Sequence, residues 1–359
     1  MAYTVIDKPS DYFNTVLYTG NTSNGHEING LDFTPSWVWI KSRDGDAFDH
    51  MLFDSVRAST TAAPFELRSN KTNAESTDTS GLVSFDSDGF TLNSGGYVNT
   101  GSFVSWNWRT GTAFSNDASS TSIGTLDSAG SSNQEAGFSI VSYTSNGSSN
   151  QSVAHNLGGV PEMIISKNRD SGSASYNYWT VYHHSLATAN DKKLKLNTTD
   201  AASTTNEWGD TDPTSTVYSL HTSGDGTTNH STDKMISYCF RSIKGYSKFS
   251  SYIGNGNADG TFVHLGFKPA FIMAKCSSAS GDWVITDVKR NPYNALSKRL
   301  FPNQSIAEST TNNWYDALSN GFKARLSDGT HNGSGKTYLY AAFAESPFVT
   351  STGIPATAR

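Results

Sequence analysis

Residues Val263 to Lys275 read VHLGFKPAFIMAK, and the chain says nearly the same thing twice more, as VAHNLGGVPEMIISK over residues 153–167 and NGLDFTPSWVWIK over residues 29–41. Aligned on Pro35, Pro161 and Pro269, each copy runs from the proline into an apolar segment that ends on a lysine: Lys41, Lys167 and Lys275. The flanks repeat in the same order. An aromatic-led segment begins at Phe13, Phe138 and Phe249, which lie 22, 23 and 20 residues ahead of the proline. A second aromatic segment closes each copy at Trp108, Phe240 and Phe343, which lie 73, 79 and 74 residues beyond it. Matching order over such steady spacing is the mark of a triplicated unit. The period, above one hundred residues, far exceeds the ~20–50 of solenoid repeats, so each copy is expected to be a small domain with its own core.

The boundaries that follow are a first repeat over residues 1–114 with a short lead-in, a linker over 115–136, a second repeat over 137–248 and a third over 249–359. The linker, SNDASSTSIGTLDSAGSSNQEA, is rich in Ser, Ala, Gly and Asn and is expected to be loosely ordered. Residues 241–248 join the last two repeats without such a spacer, which predicts a rigid pair with the first repeat more independent.

In the segment WVWIK the two-residue period of a strand puts Trp37, Trp39 and Lys41 on one face and Val38 and Ile40 on the other. Both faces are mostly apolar, so the strand is expected to be central and covered on both sides. A proline just ahead suits a strand start, where its missing N–H costs no ladder bond. Asn24-Gly25, Asp88-Gly89, Asn146-Gly147 and Asn320-Gly321 mark tight turns. Helical patterns are short, the best being residues 49–57 and 294–299. The expected class is all-β. Composition agrees: aromatic residues reach 12% and charged residues only 16%, against ~25% charged in an average soluble protein. Short strands with large rings buried between them fit that balance.

A net charge of −6 and the lack of a Lys/Arg stripe speak against nucleic-acid binding. No stretch approaches the ~18 apolar residues of a membrane span, and the opening MAYTVIDKPSDYF lacks the apolar run of a secretory signal. Cys239 and Cys276 lie in strand-like segments of different repeats and are expected to be reduced and buried.

There is no GxSxG, phosphate-binding loop, dinucleotide fingerprint or HExxH, and no pair of carboxylates stands out as the flanking acids of a glycoside hydrolase. The expectation is a non-enzyme with no metal and no cofactor. The three motif lysines are expected to carry their heads to solvent or to a carboxylate. Asp44-Gly45-Asp46, with Asp49 and His50 nearby, reads as a polar turn, since the EF-hand spacing and its terminal glutamate are missing. His155, His183, His184, His221, His230 and His264 form no zinc pattern, and His183 and His184 are expected on opposite faces. The ligand-contact candidates are rings set among polar turns: Tyr176, Tyr178, Trp208, Trp314 and Tyr315, together with Trp179. Flat rings beside Asn and Asp suit a carbohydrate or protein surface. The alternative is that they are core, because Trp179 and Trp283 occupy matching places ahead of Val-Tyr and Val-Ile, as a repeated core position would.

The phrases HNLGGVPEMIISKNR, YCFRSIKGYSKFSSYIGNGNADG, GFKPAFIMAK, NPYNALSKRLFPN and SNGFKAR…YLYAAFAESPF resemble a repeat family in virion proteins of tailed bacteriophages. PSWVWIKSRDG, DSVR and YTVIDKPSDYF resemble the same group as found in marine phages. The likeness covers nearly the whole chain outside 115–136. It implies a virion structural protein of three tandem lectin-like β-sandwich repeats (jelly-roll or concanavalin-like), assembled in the bacterial cytoplasm. Its implied partners are other virion proteins and copies of itself, with no membrane and no nucleic acid. Three roles follow: a tail-fibre or appendage component contacting a host surface glycan, a capsid or tail decoration protein, and, remotely, a polysaccharide depolymerase. The family carries no catalytic motif, so no residue inherits a role. The first repeat also departs from the others, with Asn29 and Gly30 where they have His155 and His264.

Overall fold

The motif strands sit where two apolar faces oblige them to sit, inside sheets that are covered on both sides. A computed structural model describes residues 3–45, 48–57, 65–170, 177–222 and 228–357. With 44% of residues in strands and 4% in helices, and all the sheets antiparallel, the protein is all-β.

Each sequence repeat contributes one large and one small sheet. The first large sheet runs, in spatial order, Phe13–Asn21, Thr100–Trp108, Trp37–Ser42, Met51–Asp54, Phe65–Arg68 and Ser76–Thr77. The third begins in the same way, with Ser247–Ile253, Thr337–Pro347, Phe267–Cys276 and Trp283–Asp287. The second places Phe138–Thr144, Lys234–Phe240, Met163–Asn168, Thr180–His183, Lys192–Lys195 and Ser203–Thr204 in that order, with two further strands outside Phe138–Thr144. The small sheets pair His26–Asn29 with Gly89–Leu92, Gln151–Ala154 with Val217–Leu220, and Phe262–His264 with Gly321–Ala324.

Alternation along each motif strand then divides the core. Val38 and Ile40 join Phe90, Leu92 and Phe103 in a core between the first large sheet and its small partner, and Ile272 and Ala274 do the same in the third repeat with Phe322. Trp37 and Trp39 face the other way, as do Phe271 and Met273, and both pairs enter one core shared by all three repeats. Trp37 stacks on Tyr238 at 4.3 Å, and Phe13 packs on Phe343 at 5.0 Å. Trp108, Phe240 and Phe343, which close the second aromatic segment of each repeat, meet near the centre, leaving a cavity of about 10 Å³. That is at the lower limit for a single water, so the centre is closed by rings.

The ends of the chain complete the closure. Tyr3 donates its hydroxyl to the Gly266 carbonyl at 2.7 Å, Thr4 donates to the Lys244 carbonyl at 2.8 Å, and Asp7 accepts the Ser351 N–H at 2.7 Å. The lead-in thus clasps the third repeat and the segment that joins it to the second.

Three expectations are corrected. Residues 115–136 are not a loose spacer: Ser128–Asn133 pairs with Phe138–Thr144 on one side and Thr112–Asn116 on the other, extending the second large sheet. The first repeat is not more independent than the others, since it shares the central core with both. The short helical patterns do not form helices. Residues 51–54 are a strand ending in a turn, and Leu296 and Arg299 make isolated β-bridges. Cys239 and Cys276 are free and buried. Among the described residues no helix is long and apolar enough to cross a membrane.

Candidate functional site at the repeat junctions

The polar side chains that sequence motifs would offer for chemistry are gathered at the three contacts between repeats. Trp283 pairs with Lys275 at the start of its strand, and His50 and Trp179 stand at the matching places, one residue ahead of Met51–Asp54 and Thr180–His183. Trp179 of the second repeat donates its indole N–H to the Arg68 carbonyl of the first at 2.8 Å. Trp283 of the third donates to the Lys195 carbonyl of the second at 2.9 Å. At the matching place in the first repeat, His50 accepts from Trp39 at 2.8 Å and faces the Phe301 backbone of the third. The contacts run two to one, three to two and one to three, which is a closed cycle.

The motif lysines follow the same cycle. Lys167 Nζ donates to the Thr72 carbonyl of the first repeat at 3.3 Å and to Asn177 O at 2.8 Å. Lys275 donates to Thr199 O of the second at 3.3 Å, and Lys41 to Ser305 O of the third at 3.2 Å. All three are fully buried. Burial lowers Lys41 to about 8, Lys167 to about 7 and Lys275 to about 8, against an ordinary 10.5. The expected reach to solvent or to a carboxylate is therefore corrected: these ammonium groups tie one repeat to the backbone of the next.

Two junctions add a buried charge network. Arg57 bonds Asp54, Glu75 and the Leu52 and Phe65 carbonyls. Glu75 then takes a two-pronged bond from Arg169 of the second repeat, at 2.8 and 2.9 Å, and Asp54 accepts the Tyr238 hydroxyl at 2.7 Å. In the third repeat Arg290 bonds Asp287 and Glu308, Glu308 takes the fork of Arg43 from the first repeat, and Asp287 accepts the Trp106 indole N–H at 3.0 Å. The forked arginine–carboxylate geometry is the strong form of such a bond. At these two junctions the backbones also meet, Glu75 N–H to Arg169 O at 2.8 Å and Glu308 N–H to Arg43 O at 3.2 Å. The same contact recurs at the third as Ala202 N–H to Ser277 O at 2.9 Å, where the side chains are neutral. His183 stands in the place of Asp54, Leu186 in that of Arg57, and Ala202 in that of Glu75. His183 bonds the Tyr340 carbonyl at 3.3 Å, and burial pushes it down to about 3. The first repeat is thus tied by ion pairs to both neighbours, while among the described residues no ion pair joins the second to the third.

The aromatic candidates do not converge. Trp208, Trp314 and Tyr315 are each 1% exposed, and Trp179 is fully buried, so their reading as ligand contacts is corrected. Trp208 packs edge-on to Tyr182, Trp314 lies under Arg299, and Tyr315 meets the Tyr252 hydroxyl at 3.1 Å. Polar neighbours in sequence hid these core positions. Tyr178 is half-buried beneath Lys195, whose amine is 3.8 Å from the ring centre. Tyr176 lies outside the described residues. Asp44 accepts the Ser102 N–H, and Asp49 bonds Asn70 and pairs with Arg68, while Asp46 is also outside the described residues. His183 and His184 stack at 5.3 Å instead of facing apart, because the strand ends at His183. His155 is buried and pushed down to about 4, and His264 is exposed.

Asp54, Arg57, Glu75, Asp287, Arg290 and Glu308 escaped sequence reading. A signal was present: D-x-x-R follows the motif strand in the first and third repeats, as Asp54-Ser-Val-Arg57 and Asp287-Val-Lys-Arg290. The spacing suits an Asp at a strand end folding back on an Arg one turn later.

Fold and junctions together define an all-β protein whose three related parts close on one another through buried polar contacts. The chain belongs to the family described as a domain of unknown function, DUF7483, whose model matches residues 8–347. Comparison with curated proteins and with solved structures gave no match.

Proposed function

We propose that this protein is a structural component of a tailed-phage particle, made of three tandem β-sandwich repeats of jelly-roll or concanavalin-like kind, and that it works by protein–protein contact without catalysis. One observation carries the reading: the buried lysines, the Arg–carboxylate networks and His183 are all committed to holding repeat against repeat. Groups used in this way stiffen a body and are not free to meet a substrate. The resemblance of its sequence phrases to those of virion proteins suggests the setting. A decoration or cement role on the head or tail is favoured over glycan attachment, because Trp208, Trp314 and Tyr315, three of the five rings that attachment would have used, lie in the core. In this reading the protein is assembled in the host cytoplasm and its partners are other virion chains.

The test is to locate the chain in purified particles by electron cryomicroscopy and to ask whether added protein blocks adsorption. The expected result is density flush with the head or tail surface and unchanged adsorption. Absence from particles, or adsorption blocked by the free protein, would overturn it.

A further inference from the structure

The second repeat covers a sheet edge that the first leaves bare. Ser128–Asn133 lies along the outer side of Phe138–Thr144, setting Asn133 beside Phe138, Ser131 beside Ile140 and Ala129 beside Ser142. The matching strands Phe13–Asn21 and Ser247–Ile253 are outermost in their sheets, and among the described residues no strand pairs with their outer sides. Aligned on Phe13, Phe138 and Phe249, the position of Ser142 is taken by Leu17 and Ile253, which are 38% and 64% exposed. The covered edge thus carries a serine where the bare edges carry aliphatic surface.

The two bare edges differ. In the third repeat Phe249 already donates its N–H to Ser242 Oγ at 3.1 Å and receives a bond from His184 on its carbonyl at 2.9 Å, while the Ile253 carbonyl accepts from Thr261 at 2.7 Å. In the first repeat, where Phe13 and Thr15 are 2% and 4% exposed and Leu17, Thr19 and Asn21 lie open, the Thr15 N–H is met, among the described residues, by the side chain of its neighbour Asn14 at 2.9 Å. That bond shows which way the strand faces. Thr15 turns its N–H away from Thr100–Trp108, so the two-residue alternation turns Leu17 and Thr19 outward as well. Proteins blunt such edges with lysine, proline or a bulge. Phe13–Asn21, FNTVLYTGN, is nine residues long with no charge and no proline, and it pairs with Thr100–Trp108 without a register shift. Alongside its first residues a cleft of about 540 Å³ opens, lined by Phe13, Asn14 and Thr15 with Ala270, Val288 and Lys289. The residues matching Phe13 to Thr15 in the second repeat are the ones that Ser131 to Asn133 cover.

We propose that the outer edge of Phe13–Asn21 is a docking site for an extended strand of another protein chain, paired antiparallel and built of small uncharged residues. The covering strand of the second repeat defines the partner's chemistry. Its sequence is SAGSSN, and a Cβ on Gly130 would lie 1.9 Å from the Ile140 carbonyl oxygen, so the approach admits no side chain there. The equivalent place on the first repeat faces Val16, and the partner carries glycine opposite it.

A peptide of residues 127–134, DSAGSSNQ, serves as the probe, added to the full chain with hydrogen exchange read by mass spectrometry. The expected result is saturable slowing of exchange confined to residues 13–19. Leu17→Pro should weaken it about tenfold or more, the worth of one or two hydrogen bonds. That proline removes an outward N–H and leaves the ladder to Thr100–Trp108 intact, so the variant should melt like the parent. Should it fail to fold, Leu17→Lys places a charge on the edge and should weaken binding in the same way. No slowing at millimolar peptide overturns the proposal. So does slowing at residues 138–144, which would mean displacement of the protein's own strand. Protection of residues 13–19 by self-association without peptide would make a second copy the occupant, and overturns it too.

Discussion

At Lys167 an amine is buried against two carbonyls of different repeats, and its charge is what burial resists. The unfolded chain holds this proton up to about 10.5, while the folded chain gives it up near 7, and Lys41 and Lys275 give theirs up near 8. Between those values the unfolded state binds more protons, so stability rises with pH from about 7 to 10, and below the folded values the lysines contribute no further change. Above pH 10 buried tyrosines such as Tyr238, held well above their ordinary value by burial, reverse the slope. Urea unfolding across pH 6–10 checks the sign. Lys167→Met leaves the Thr72 and Asn177 carbonyls unmet and should cost ~1–3 kcal/mol at pH 9, and less at pH 6, where the parent carries the charging penalty. An equal cost at both would show the amine to be solvated. Arg57→Ala leaves Asp54 without its ion-pair partner in the interior and should cost ~3–5 kcal/mol, measured by the same unfolding curves. Trp39→Ala should cost a similar ~3–5 kcal/mol, as a large ring removed from a packed core.

Among the elements, the motif strand was legible and the covering strand was not. WVWIK shows apolar residues on both faces, and all six residues of Trp37–Ser42 are buried as that pattern requires. Ser128–Asn133 carries no periodicity, because Ser, Ala and Gly give no contrast between faces. What admits it to the sheet is smallness, and composition reads smallness as looseness. Gly130→Val should therefore push this strand off the edge, costing ~1–3 kcal/mol and speeding hydrogen exchange over residues 138–144. Unchanged exchange there would show that the strand is not held by close approach. Trp208 and Trp314 were misread for a related reason. Their sequence neighbours are polar, and only the pairing of distant strands puts them inside.

For the whole molecule, repetition in the sequence announced three units but not that they face one another. The residues facing inward, Trp37, Trp39, Phe271 and Met273 among them, look the same whether they meet a private core or a shared one. The lysines follow from that: a strand-end lysine reaches water in an isolated sandwich, and a neighbour's backbone in a closed ring of three. A first repeat cut out as residues 1–114 would expose four tryptophans of the shared core and leave Glu75 without Arg169, so it should not hold a fixed fold. Calorimetry of the intact chain tests this closure most directly. The account predicts one transition whose calorimetric and van't Hoff enthalpies agree, as for a single cooperative unit. Two or three separable transitions, with the first repeat melting by itself, would contradict it.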